Sequence, residues 1–227
     1  SRHWEEVALL RRSWNYLRYL HRPYRDAAKL RDRAFGKMAR VLFDTTRDVP
    51  AAWAEVGMGL TDSEVRRLRR LMEFSEANLP TDPDCDAVLE EEQPDAVLLT
   101  PLVDLNASTQ ADFAQSARQR GVPVGMLVYS WDNLSTKGGL HVQPDTMFLW
   151  NRQQQREAKV LHGVPRQRTV VVGAPRFDAF LACARRCTHS RFTSALGFPK
   201  DAPIITYVCS SAFVSGHELD FVRRWLT

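Results

Sequence analysis

Val124-Gly125-Met126-Leu127-Val128-Tyr129-Ser130-Trp131-Asp132-Asn133-Leu134-Ser135-Thr136-Lys137-Gly138-Gly139 changes character partway along. Up to Tyr129 it is an apolar run without alternation, the pattern of a strand buried on both faces of a parallel sheet. From Ser130 onward it holds an acid, an amide, hydroxyls, a Lys, a Trp and two glycines. A buried strand feeding a polar loop marks the carboxyl edge of an open α/β sheet, where ligands gather.

The flanking sequence repeats the unit. Ala96-Val97-Leu98-Leu99-Thr100 comes before it, and Thr146-Met147-Phe148-Leu149-Trp150 and Thr169-Val170-Val171-Val172 come after it. All three read as buried strands. Between them the pattern predicts a helix over 108–120, capped near Ser108 and stopped by Gly121, and another over 151–161 ending at His162-Gly163. Strand and helix in alternation with short connections predict right-handed crossovers and a parallel sheet covered on both sides. The fold class expected is α/β, a Rossmann-like parallel sheet flanked by helices.

Residues 1–80 read as a helical part of the same N-terminal domain. Trp4, Val7, Leu10, Trp14 and Leu17 form one apolar stripe, Pro23 breaks that helix, and a second follows over 24–43. Thr61 and Glu64 fit a capping box for a third helix, with Val65, Leu68 and Met72 facing inward. The parallel part spans 81–186. Beyond it, 187–227 reads as a linker and the first strand-helix unit of a second Rossmann-like domain. Helices are expected near 176–186, 190–196 and 216–226, with a buried strand over 203–209.

Composition sets further bounds. The chain has 227 residues, 44% hydrophobic and 26% charged, enough for a sizeable core. No run approaches the roughly 18–20 apolar residues of a membrane span, and no secretory h-region opens it. Four cysteines in a chain this long imply no disulfide framework. Cys183, Cys187 and His189 supply three neighbouring ligands where a structural zinc needs four, so no metal is expected. The net charge is +4, with Arg11, Arg12, Arg18 and the Arg66–Arg70 run among the cations; solvated helix faces account for them. No GxGxxG, Walker loop, HExxH, EF-hand or nucleophile elbow occurs.

The loops after the strands hold the candidate site. Asp132 could act as a base, Trp131 could stack on a sugar ring or base, and Lys137 beside two glycines could meet a phosphate. Asn133, Ser135, Asp104, Asn151 and Arg176 complete the set. Each has a structural reading beside the functional one. Asp132 and Asn133 could cap the turn while Trp131 plugs the core. Asp104 could cap a helix, Arg176 and Asp178 could bridge a hinge, and His162 could serve as a helix C-terminal residue favoured by the dipole.

Two stretches carry a family likeness: Tyr129 to Gly138, and Phe148 through His162-Gly163-Val164-Pro165 to Gly173-Ala174-Pro175-Arg176-Phe177-Asp178. Together they resemble bacterial glycosyltransferase-like proteins of the GT-B fold. That group includes capsule and teichoic-acid polymer transferases and the UDP-N-acetylglucosamine 2-epimerases. The resemblance implies two Rossmann-like domains facing a cleft. The N-terminal domain would hold the acceptor and the base, Asp132; the donor contacts would lie in a C-terminal domain beyond Thr227. It implies no cofactor beyond a nucleotide-sugar donor as substrate, a saccharide or polyol acceptor, a cytoplasmic setting, and peripheral association with the inner face of the membrane.

Three functions follow. The first is transfer of a sugar or polyol phosphate from a nucleotide-activated donor to an acceptor hydroxyl, in cell-surface polysaccharide synthesis. The second is epimerisation of a nucleotide sugar. The third is a non-catalytic basic module for an anionic partner. Nucleic acid is not an expected partner, because no aromatics interleave the Arg66–Arg70 run.

Overall fold

The computed structural model describes residues 2–24, 26–43, 57, 59–103, 108–184, 187–210 and 216–227. The chain forms two compact units, Ser1–Asp178 and Ala179–Thr227.

In the first unit the order is α1 (Arg2–Leu20), α2 (Ala28–Phe43), α3 (Asp62–Ala77), α4 (Pro83–Glu92), β1 (Val97–Leu99), α5 (Thr109–Gln119), β2 (Val124–Leu127), α6 (Asn133–Thr136), β3 (Thr146–Leu149), α7 (Arg152–His162) and β4 (Thr169–Val171). The caps follow the local sequence. Thr61 and Glu64 make both halves of a capping box on α3. The Ser108 hydroxyl accepts from the Gln110 amide at the start of α5. Gly163 closes α7 at φ 69°, where a side chain would be strained. Helix α4 was not foreseen, although Asp82-Pro83 is a cap followed by an N1 proline; the Asp82 carboxylate accepts from the amides of Asp84 and Cys85.

The sheet is four-stranded and parallel, in the order β1-β2-β3-β4. Each crossover moves one strand in the same direction, so right-handed connections lay α5 and α7 on one face. The core matches. Leu99, Val124, Met126, Met147 and Leu149 share that face by register and pack with Ala111, Ala114 and Ala117 of α5 and Ala158 of α7. The expected cover on both sides is not met. On the other face Leu98 is 59% exposed and Leu127 and Phe148 are half-buried, while β4 is open on both faces, with Val170 45% and Val171 44% exposed. Side chains there lean over Gly125, where a Cβ would come within 3.0 Å of Leu98 Cδ1 and 3.3 Å of Phe148 Cε2.

The helical part packs through α1, against α2 and α3, in a core of Tyr16, Leu17, Leu20, Met38 and Val65. The reading of the early arginines as solvated fails at two positions. Arg11 and Arg18 are 2% and 1% exposed. Arg11 donates to Glu76 at 2.6 Å, Asp112 at 2.6 Å and the Ser108 carbonyl at 3.0 Å. A buried guanidinium is tolerated because its planar fork meets an acceptor at every edge it uses.

In the second unit, Thr188 caps a helix at His189–Ala195, and the last helix is Glu218–Leu226. Residues 203–209 pair with no strand among the described residues, which corrects the expected strand. A strand needs a partner to satisfy its backbone. Here Glu218 accepts from the Tyr207 hydroxyl and the Ser210 amide instead. The helix expected over 176–186 shortens to Asp178–Leu181 after a turn at Pro175–Phe177.

Candidate functional site

Strand β2 ends at Leu127, and its continuation enters a turn that Asn133 holds from inside. The Asn133 side-chain oxygen accepts from the amides of Tyr129 at 3.0 Å and Ser130 at 2.7 Å. Asn133 is 4% exposed, so it shapes the loop and is closed to a ligand. Asp132 sits above it at the start of α6. Its carboxylate accepts from Ser130 Oγ at 2.7 Å and Thr136 Oγ1 at 3.0 Å, with Lys137 Nζ at 3.4 Å. Burial pushes this carboxyl up, but the two hydroxyls and the Lys137 charge outweigh it and hold it below its ordinary value. Asp132 is therefore ionised at neutral pH. Ser135 Oγ donates only a long 3.4 Å bond, to the Asp132 carbonyl. Trp131 does not plug the core; it is 72% exposed.

The loops after β3 and β4 come to the same edge. Trp150 Nε1 donates to the Val128 carbonyl at 2.7 Å, and the buried Gln154 donates to the Ser130 carbonyl at 3.3 Å. Asn151 spends its side-chain oxygen on capping α7, accepting from the Gln154 amide at 2.9 Å. The Arg176 guanidinium lies over the Tyr129 ring at 4.7 Å, and Phe177 meets Trp150 edge-on. Arg176 thus reaches across from β4 to the end of β2. Gln154 and Trp150, which tie these loops together, went unnoticed in the sequence. Their signal was faint: a polar residue on the inward stripe of α7 and an aromatic ending a strand. Asp104 lies outside the described residues.

The glycines beside Lys137 are packed against helix α1. Gly139 faces Trp14 of α1 so closely that any Cβ would overlap the indole, and its amide donates to Asn15 at 2.7 Å. Arg18 donates to the carbonyls of Leu134, Lys137 and Gly138, each at 2.7 Å. Helix α1 thereby fixes the path of the loop from below. His162 joins this knot. Its Nε2 is 2.7 Å from the Leu134 carbonyl, which can only accept, so that nitrogen donates. Burial, then the Arg18 charge, hold His162 well below its ordinary pKa. It is a neutral buried residue, contrary to the expectation of a dipole-favoured helix end.

A cleft of about 470 Å³ lies elsewhere. Trp14, Arg69, His141, Gln143 and His162 line it, and the last three of these precede β3 and β4, at the amino ends of the strands. By the placement rule for open sheets, the carboxyl edge is the better candidate. Among the described residues no group of three or more His, Cys, Asp and Glu side chains could hold a metal, and no helix is long and apolar enough to cross a membrane.

Fold and site together define a Rossmann-like parallel α/β unit with a polar, aromatic-edged ledge at the carboxyl ends of its strands. No family model, no curated protein and no solved structure matches the chain.

Proposed function

We propose that this chain supplies the acceptor side of a GT-B-type glycosyltransferase, moving a sugar or polyol phosphate from a nucleotide-activated donor to an acceptor hydroxyl. The observation that carries the reading is that Trp131, Asp132 and Arg176 all stand on loops that follow strands at one edge of the sheet. An exposed indole offers a stacking face for a saccharide ring. An ionised carboxylate beside it can take a hydroxyl proton, and the Arg176 cation stands on the same edge.

For sugar transfer, the acceptor oxygen forms a bond to the anomeric carbon as its proton passes to Asp132. The bond from that carbon to the nucleoside diphosphate breaks, and the diphosphate leaves with the electron pair. The hydrogen bonds that lower the Asp132 pKa weaken it as a base towards a resting hydroxyl. Proton transfer therefore accompanies the new bond, as the hydroxyl grows acidic. Ser130 and Thr136 keep the carboxylate in one orientation for that moment.

The test, made in a protein that carries this chain together with its donor-binding domain, is release of nucleoside diphosphate from nucleotide sugars in the presence of saccharide or polyol acceptors, comparing the native sequence with D132N and W131A. A base role predicts that D132N lowers turnover by about 10²-fold or more, while W131A acts mainly on acceptor KM. D132N turning over at the unaltered rate would remove Asp132 from the chemistry. An epimer accumulating in place of free nucleotide would move the reading to a nucleotide-sugar epimerase.

A further inference from the structure

Helix α7 carries four residues on one stripe: Arg152, Gln155, Arg156 and Lys159. They recur at three- and four-residue steps and so share a face. The turn after the helix brings Arg166 to the same place, and the five side chains line a groove of about 330 Å³. Four of the five are cations and none is an acid. Among the described residues none of the four cationic side chains makes an ion pair or a side-chain hydrogen bond. Gln155 is engaged through its amide, which donates to Thr169 Oγ1 at 2.7 Å. Like charges gathered along one groove repel one another, and no acid is among the side chains that line it.

We infer that this groove binds an anion carrying several adjacent phosphate groups, a soluble oligophosphate or its ester. From Arg152 to Lys159 the helix rises about 10 Å, so one phosphate reaches only part of the row while a short chain of them spans it. The three guanidiniums present paired donors suited to phosphate oxygens, and the Lys159 ammonium adds a point charge. The chemistry of the lining separates this from two other polyanions. A lipid surface is gripped by cations with apolar side chains among them, and single-stranded nucleic acid by cations with stacking aromatics. The groove has neither kind of side chain. The side chains that line this groove are not those around Asp132, and the inference does not depend on the transferase reading.

Calorimetric titration of the 227-residue chain with inorganic tripolyphosphate tests it. Saturable binding that weakens as salt rises is expected, falling at least tenfold in R156E/K159E and clearly in R166A, which alters a different element. Circular dichroism checks that each variant is folded, and R166A alone decides the matter if the double variant is not. No binding at millimolar tripolyphosphate would overturn the inference. So would unchanged affinity in folded variants, or association with vesicles containing phosphatidylglycerol in the absence of any tripolyphosphate binding.

Discussion

Nη2 of Arg18 lies 3.1 Å from Nε2 of His162, with both residues closed off from water. The guanidinium is already charged and serves three loop carbonyls, so a second charge at His162 would face it with no screening. Burial first, and then this neighbouring charge, keep the imidazole neutral, and pH becomes a handle on the whole knot.

His162 makes stability fall in mild acid. Its folded pKa lies well below 6.5, so the unfolded chain takes up this proton first as pH drops. The loss begins near pH 6.5 and deepens towards the folded pKa, at up to about 1.4 kcal/mol per pH unit. Urea unfolding at pH 7.5, 6.0 and 5.0 should show a steeper decline for the native sequence than for H162Q. Parallel declines would show that His162 does not titrate in this way.

A second acid step belongs to Glu76. Burial raises its pKa, but hydrogen bonding and charge from His141 and Arg11 bring it down to about 2. Its contribution is present above pH 4.5 and disappears as pH falls towards 2. E76Q should flatten the unfolding profile between those limits while lowering stability at pH 7.

Removing the Arg18 guanidinium should be costly. R18M leaves the carbonyls of Leu134, Lys137 and Gly138 without their buried donor. Each buried acceptor left unsatisfied costs about 1–3 kcal/mol. Chemical denaturation measures that loss, and hydrogen exchange should show residues 133–139 opening more than the β-strands. A change below about 1 kcal/mol would mean the loop is held by other groups.

Gly139 tests the close approach of α1. G139A forces a methyl into the Trp14 ring and should destabilise by about 1–3 kcal/mol, the usual range for overpacking. Pairing it with W14L should recover part of the difference, because the smaller side chain clears the space; simple additivity would point to another cause.

The two sheet faces should respond unequally. L149A, on the covered face, should cost about 2–5 kcal/mol, and L98S, on the open face, far less, because Leu98 is 59% exposed and Leu149 fully buried. Comparable losses would show that something covers the second face.

Much of the sheet was legible in the sequence, because apolar runs closed by Gly121, Gly163 and Gly173 leave little choice about where strands and helices stop. The parallel pairing followed from connection lengths. What misled was the expectation of cover on both faces: Leu98 and Val170 look as buried in a linear pattern as Leu99 does, and only the register and the one-way strand order separate them. Residues 203–209 show the same limit, since β-branched residues favour a strand only where a partner exists. The loop after β2 is rich in polar side chains, yet its residues divide in a way the sequence does not mark. Trp131 faces outward, the half-buried Asp132 is held by Ser130, Thr136 and Lys137, Asn133 braces the turn, and Gly138-Gly139 lie against α1. Arg11 and Arg18 were missed as buried because their acceptors are carbonyls and carboxylates some hundred residues away.

Amide chemical-shift mapping with a nucleotide sugar and a saccharide acceptor tests the central claim most directly. Shifts clustered on Tyr129–Lys137, Asn151 and Arg176, abolished by W131A, are the expected result. Shifts gathered around Trp14, His141 and Gln143 instead, or none at saturating ligand, would contradict a sugar-handling site at the carboxyl edge of this sheet.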